Sequence, residues 1–137
     1  KDSHNYENKP WEIHPTARRF ECGSPNMLGI HALSASLSLL LETGMDVVES
    51  LVIENSNCLK DLIVSNSQLA LLSKQNDRYR SGIVTFKHKT IANEMIYRHF
   101  QKNNVVCAQR GGGIRFSPHF YNSKEEIARA LALLNQL

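Results

Sequence analysis

The sequence predicts an α+β fold, in which helices pack on one face of a small, mainly antiparallel sheet that is preceded by a long connecting helix. Two observations support this class. Apolar residues recur at helical spacing in four segments, and four short segments have the composition or alternation of strands. The predicted order is helix, helix, strand, strand, helix, strand, strand, helix, without a repeat, which is typical of α+β layers.

The two N-terminal helices are predicted to meet at Gly44. In the first, Leu33 and Leu37 belong to an apolar stripe at helical spacing. Gly44 is expected to cap its C-terminus. Asp46 and Glu49 resemble a capping box, so the second helix is expected to begin there and to run to about residue 66.

The sheet is expected in the second half of the chain. Strands are predicted at 69–73, 82–87, 105–109 and 114–117. Thr90 is predicted to cap the helix between the second and third strands, and the glycines at 111–113 are predicted to form a tight hairpin turn. Ser123 and Glu126 form an S-x-x-E capping box, which predicts the start of the last helix.

The composition excludes several classes of protein. Apolar residues make up 42% and charged residues 21% of the 137 residues, as in ordinary globular domains. The net charge of +3 is spread along the chain, so no nucleic-acid partner is predicted. The longest apolar stretch, 37–41, is much shorter than the ~20 residues of a membrane span.

The cysteines and histidines have no metal-ligand spacing. Cys22, Cys58 and Cys107 are dispersed, which fits reduced thiols in a cytoplasmic protein, and Cys107 is expected to be a buried residue inside a strand. The six histidines show no H-x-x-x-H or H-E-x-x-H pattern. His119 is expected to order the turn before Tyr121 rather than to act as a base. No metal site is predicted.

The start of the chain suggests a cut inside a longer protein. The chain begins at Lys1 without an initiator Met, and roughly its first 17 residues are polar and lack helical periodicity. We interpret residues 1–25 as an irregular segment left from a preceding domain and residues 26–137 as the C-terminal small domain with its connecting helix.

Arg115 is the first candidate for a functional residue. Alternation along the predicted strand places Ile114 and Phe116 on the core face and Arg115 on the opposite face. A guanidinium held on a rigid strand can donate two parallel hydrogen bonds to a carboxylate. On the strand pattern alone, a surface arginine in a salt bridge remains the simpler interpretation.

Three segments of the sequence, one of which contains Arg115, resemble motifs of a known protein family. Residues 110–122 spell R-G-G-G-I-R-F-S-P-H-F-Y-N, residues 19–26 spell R-F-E-C-G-S-P-N and residues 81–86 spell S-G-I-V-T-F. They resemble the segments R-x-G-x-I-R-x-S-x-x-x-Y-N, R-F-E-x-G-T-P-N and S-G-I-V-x-F of the class V aminotransferase family. That family also contains cysteine desulfurases, selenocysteine lyases and isopenicillin N epimerase-like enzymes. The resemblance extends from Arg18 to the C-terminus.

The resemblance implies roles for four residues. Arg115 is at the position that binds the α-carboxylate of an amino-acid substrate, and Arg110 is at a position that assists at the mouth of the substrate site. Gly23 and the Ser24 hydroxyl would reach the phosphate of pyridoxal 5′-phosphate in the partner subunit of a homodimer. Ser24 replaces the usual threonine and keeps its hydroxyl.

The resemblance also implies which parts lie elsewhere. The lysine that holds the cofactor belongs to a large domain upstream, so this chain alone is not expected to bind pyridoxal phosphate or to be active. Desulfurases place a nucleophilic cysteine between the positions of Arg110 and Arg115, and this interval contains none, which favours an aminotransferase, epimerase or lyase. The alternative is a free-standing α+β binding domain without catalytic activity.

Overall fold

The structure is a computed structural model that describes residue 7, residues 13–21 and residues 23–137. It divides into two compact units, Lys1–Leu39 and Leu40–Leu137. In the first unit, a short 3-10 helix at Ala17–Phe20 precedes most of α1, which spans Met27–Thr43. The side chains of α1 within this unit are all exposed.

The second unit contains a four-stranded antiparallel sheet, three complete α-helices and two short 3-10 helices at Asp77–Tyr79 and Leu133–Gln136. Its elements are α2 (Met45–Ser65), β1 (Leu69–Leu71), β2 (Val84–His88), α3 (Asn93–Lys102), β3 (Ala108–Arg110), β4 (Gly113–Phe116) and α4 (Lys124–Ala132). The strand order is β1-β2-β4-β3. The predicted α+β fold and its element order are therefore confirmed.

The helices pack on one face of the sheet. Alternate strand residues point towards them, and Val84 pairs with Phe116 while Phe86 pairs with Ile114. Phe116 lies edge-on to Phe86, with ring centroids 5.5 Å apart. One core cluster unites these strand residues with buried side chains of the three helices, namely Leu59, Ile63, Ile96, Phe100 and Ile127.

Gly44 joins α1 to α2. Its amide donates to the carbonyl of Leu40 at 3.0 Å and so closes the last turn of α1, as predicted. Its φ of 87° suits a glycine. The predicted Asp46–Glu49 capping box is wrong, because α2 begins at Met45 with Gly44 as its N-cap, without a side-chain cap.

His88, rather than Thr90, organises the entry to α3. The ring Nδ1 of His88 accepts from the amides of Thr90 at 3.2 Å and Ile91 at 3.0 Å. The Thr90 hydroxyl lies 3.1 Å from the same nitrogen, and α3 begins only at Asn93. The prediction of Thr90 as the N-cap is wrong, because its hydroxyl is occupied by this imidazole.

Replacing His88 by alanine should lower the free energy of unfolding by about 2 kcal/mol, since two backbone amides in a part-buried turn lose their acceptor. His31→Ala is the matched control. His31 is exposed on α1, so its loss should cost less than about 0.5 kcal/mol. Urea unfolding of the two variants measures both values. Equal unfolding midpoints would contradict the assigned role of His88.

The β3–β4 hairpin is confirmed, with a shorter first strand than predicted. Arg110 pairs with Gly113, so Gly111 and Gly112 form a two-residue turn, and Gly113 belongs to β4 instead of the predicted three-glycine turn. Their φ values of 63° and 78° match the type I′ turn that suits the twist of antiparallel strands. β3 begins at Ala108 instead of residue 105, so Cys107 lies just before the strand and not inside it.

The start of α4 agrees with the sequence. The Ser123 side chain accepts from the Glu126 amide at 3.1 Å, while the Glu126 carboxylate accepts from the Ser123 amide at 3.0 Å. These bonds form the predicted capping box. The hydrogen bond from the Ser123 amide, followed by that from the Asn122 side chain, lowers the pKa of the Glu126 carboxyl. Among the described residues, no helix is long and apolar enough to cross a bilayer. Residues 7, 13–21 and 23–137 contain no cluster of acidic, His and Cys side chains suited to a metal ion.

Candidate functional site

Arg115 lies at the centre of the sheet. Its strand, β4, is flanked by β2 and β3, and Arg115 pairs with Thr85 on one side and Ala108 on the other. Its neighbours Ile114 and Phe116 are buried in the core, so the Arg115 side chain is directed to the opposite face, as predicted. The backbone of Arg115 is thus fixed from both sides.

The Arg115 guanidinium has an unused donor. Its Nε is buried and has no hydrogen-bond partner, although the side chain as a whole is half-buried. Within the described residues, no carboxylate forms an ion pair with it. The surface salt bridge that the strand pattern allowed is therefore not formed in this part of the chain. A buried donor without a partner is rare and calls for an acceptor, such as an anionic ligand.

Arg110 shares this face of the sheet. Because paired residues of antiparallel strands point to the same side, the pairs Ala108–Arg115 and Arg110–Gly113 place both arginines on the face opposite the core. They are diagonal neighbours, with Cα atoms roughly 7–8 Å apart in such an arrangement. The seven strand residues that share this face include three cations and no acid: Ala70, Thr85, Lys87, Ala108, Arg110, Gly113 and Arg115. The face is therefore suited to an anion.

A groove of about 840 Å³ adjoins Arg115. Its lining also includes the segment before β3, with Cys107, the loop after β4, with Tyr121, and α4, with Ile127. Arg115 contributes to this groove, whereas the exposed Arg110 does not. The structure thus places the two predicted substrate-binding arginines on one face but only Arg115 at the groove.

Gly23 and Ser24 lie in the first unit, in the bend before α1, and both are exposed. Gly23 has a φ of 74°, and no atom lies within 4 Å of the position that a Cβ would occupy there. The Ser24 hydroxyl has no hydrogen-bond partner among the described residues. An open glycine backbone beside a free hydroxyl fits the approach of a phosphate group from another subunit.

Cys107 is half-buried at the groove and forms no disulfide. Burial raises the pKa of its thiol, and a hydrogen bond with Gln101 opposes this rise only in part. A thiol with a raised pKa carries little thiolate and is a poor nucleophile. The prediction that Cys107 is buried holds only in part, because the residue is half-buried. Cys22 lies outside the described residues.

One residue near the site was not singled out by the sequence analysis. Asn55 of α2 is 5% exposed, and its side-chain amide donates to the carbonyls of His119 and Asn122, at 2.9 Å each. His119 therefore takes part in an ordered turn, as predicted, mainly through its backbone. A sequence signal existed, because Asn55 interrupts the apolar stripe of α2 that contains Val48 and Leu59.

Comparisons with known proteins show the family of the chain. The family described as Aminotransferase class-V matches residues 3–130. The chain is 30% identical over 115 residues to the uncharacterized aminotransferase YcbU of Bacillus subtilis (strain 168), covering 84% of this chain and 30% of that protein.

Two solved structures share the fold. A cysteine desulfurase from Thermococcus onnurineus NA1 in its apo form superposes with a TM-score of 0.79 at 18% identity. The match covers 92% of the present chain and 34% of the desulfurase chain. The cystine C-S lyase C-DES, in complex with its reaction product cysteine persulfide, superposes with a TM-score of 0.76 at 20% identity. This match covers 85% of the present chain and 31% of the C-DES chain. The chain therefore spans about a third of the length of these relatives. By its match to the family over nearly its whole length, the chain belongs to the class V aminotransferases.

Proposed function

We propose that this chain is the C-terminal part of a pyridoxal-phosphate-dependent enzyme that acts on an amino acid, and that Arg115 binds the α-carboxylate of the substrate. The observation that carries the proposal is the Arg115 guanidinium, which is fixed on a central strand with a buried Nε that lacks a partner. A carboxylate would supply two acceptors to this planar fork.

The role of Arg115 is to orient the substrate. Two parallel hydrogen bonds fix both the position and the rotation of a carboxylate, and so also the direction of the bonds at the adjacent Cα. Arg110, on the same face and closer to solvent, would attract the substrate at the entrance. Arg115 thus supplies binding and alignment rather than proton transfer.

Pyridoxal phosphate, when bound, supplies the electron sink that stabilises negative charge at the substrate Cα. Gly23 and Ser24 would hold its phosphate, and their open, unpaired environment supports this assignment. Because those residues are proposed to serve a partner subunit, the active protein would be a homodimer.

A large domain of the same protein would complete the site. Exposed apolar side chains along α1, including Leu33 at 60% and Leu37 at 49%, support a packing partner for this helix. The dispersed cysteines, of which Cys58 and Cys107 are free thiols, support a cytoplasmic location.

Among the reactions of the family, we favour transamination, epimerisation or lyase chemistry over desulfuration. Only two glycines form the turn between Arg110 and the strand of Arg115, which leaves no loop for a nucleophilic cysteine. The nearby Cys107 has a raised pKa, which opposes such a role. The match to an aminotransferase relative supports the same choice.

The proposal can be tested by analysing the sequence and the cofactor content of the full-length protein. Its sequence upstream of Lys1 should contain a large domain with a lysine after a predicted strand. The purified protein should bind about one pyridoxal phosphate per chain, because the cofactor supplies the chemistry. The 137-residue chain alone is the matched control and should hold none stoichiometrically. A full-length protein that lacks the cofactor and converts no amino acid would favour the alternative, a binding domain without catalytic activity.

A further inference from the structure

Asn55 connects α2 to the loop that follows β4. Both hydrogens of its side-chain amide are used, one for the carbonyl of His119 and one for the carbonyl of Asn122. These partners are 64 and 67 residues away along the chain. Because the Asn55 side chain is almost fully buried, water cannot readily replace the two bonds.

The loop at residues 117–122 has a fixed shape, and we refer to it as the anchored loop. The amide of Asn122 donates to the carbonyl of His119 at 3.1 Å, and the amide of His119 donates to the side-chain oxygen of Asn122 at 2.9 Å. These two bonds close a turn within the loop. The turn itself is attached to α2 through Asn55.

The anchored loop borders the groove at Arg115. It begins two residues after Arg115, and Pro118, Tyr121 and Asn122 line the groove together with Arg115. A displacement of the loop would move the C-terminal end of β4 and this side of the groove. The alignment of a bidentate guanidinium is sensitive to shifts of this kind, since misplacement by 1 Å can cost about a hundredfold in rate.

We propose that Asn55 is a positioning residue for the carboxylate-binding Arg115, acting through the anchored loop. The inference rests on the proposed function of Arg115. Asn55 touches neither substrate nor cofactor. Its contribution is selective for substrates that carry an α-carboxylate, because only those use the orientation of the Arg115 fork.

The test uses the full-length enzyme with two probes: the most active of the common L-amino acids and the amine formed by its decarboxylation. Asn55→Ala removes both donors, Asn55→Gln keeps the amide on a longer side chain, and Asn57→Ala is the control at an exposed site on the same helix. We expect Asn55→Ala to lower kcat/KM for the amino acid about tenfold, through a higher KM and a lower kcat together. The value of kcat/KM for the amine should change less than about twofold. Asn55→Gln should recover part of the loss, and Asn57→Ala should match the wild type.

Hydrogen exchange supplies a readout that does not depend on activity. In Asn55→Ala the amide of Asn122 should exchange at least about tenfold faster, because local opening of the loop becomes easier. Asn122→Ala perturbs the loop by a different route, because it removes the acceptor of the His119 amide, and it should produce the same selective loss for the amino acid. It also serves as the second variant if Asn55→Ala fails to fold.

Two results would overturn the inference. An equal loss for the amino acid and the amine would show that Asn55 has only a structural role, and unchanged kinetics with both probes would show that the loop does not position Arg115. Arg115→Ala, measured in parallel, separates this inference from the proposed function. If Arg115→Ala abolishes the preference for the amino acid and the Asn55 and Asn122 variants keep it, only the inference fails. If Arg115→Ala itself keeps the preference, the proposed function fails.

Discussion

Arg115→Ala in the full-length enzyme is expected to lower kcat/KM by roughly two to three powers of ten, equivalent to about 3–4 kcal/mol. The substitution removes a charged pair of hydrogen bonds from a partly desolvated position on β4. Because the guanidinium both binds the carboxylate and fixes its angle, KM should rise and kcat should fall together. Steady-state kinetics with an amino-acid substrate measures both changes.

Two further variants make this prediction specific. Arg115→Lys keeps the charge and loses the planar fork, so it should recover only part of the activity. Arg110→Ala should have the smaller effect, since Arg110 is exposed and lies outside the groove. A kcat/KM for Arg115→Ala within about twofold of the wild type would be far from the effect expected for a lost charged pair. If Arg110→Ala then abolishes activity, the carboxylate has been assigned to the wrong arginine.

Gly113→Ala is expected to cause the largest loss of stability, about 3 kcal/mol or more, through steric overlap in the sheet. A Cβ at Gly113 would lie only 2.2 Å from the carbonyl oxygen of Phe86 on the neighbouring β2. Backbone atoms of a central strand cannot move away without breaking the pairing of β2 with β4. The free energy of unfolding, obtained from urea titration, measures the effect.

Gly112→Ala provides the matched control for Gly113→Ala. Gly112 has a φ of 78°, and no atom lies within 4 Å of the position of its Cβ. Only the left-handed backbone conformation should oppose this alanine, at a cost of roughly 1–2 kcal/mol. Equal losses for the two variants would contradict the close contact between Gly113 and β2.

The features that the sequence predicted correctly depend on neighbours in the chain. Ser123 and Glu126 are three residues apart, and their capping box is present in the structure. The two glycines at 111 and 112 determine the hairpin, because their positive φ values suit its turn. The direction of Arg115 followed from the alternation of Ile114 and Phe116 along one strand. Periodicity and turn chemistry suffice for features of this kind.

The features that were missed or mispredicted depend on distant contacts or on competition between neighbouring side chains. Threonine is a residue type favoured at N-caps, but the Thr90 hydroxyl and amide form hydrogen bonds with the ring of His88. The bonds of Asn55 to the loop after β4 join residues more than sixty positions apart, and no local pattern specifies them. The lack of a partner for the Arg115 Nε likewise depends on residues distant in the chain, so the sequence alone could not predict it.

The most direct test of the central claim is a crystal structure of the full-length protein with pyridoxal phosphate and a bound amino acid. We predict that two nitrogens of the Arg115 guanidinium each lie about 2.7–2.9 Å from the α-carboxylate oxygens of the amino acid, as in a bidentate charge-assisted pair. A carboxylate held by Arg110 or by a residue of the large domain, with Arg115 directed away from it, would contradict the assigned role of Arg115.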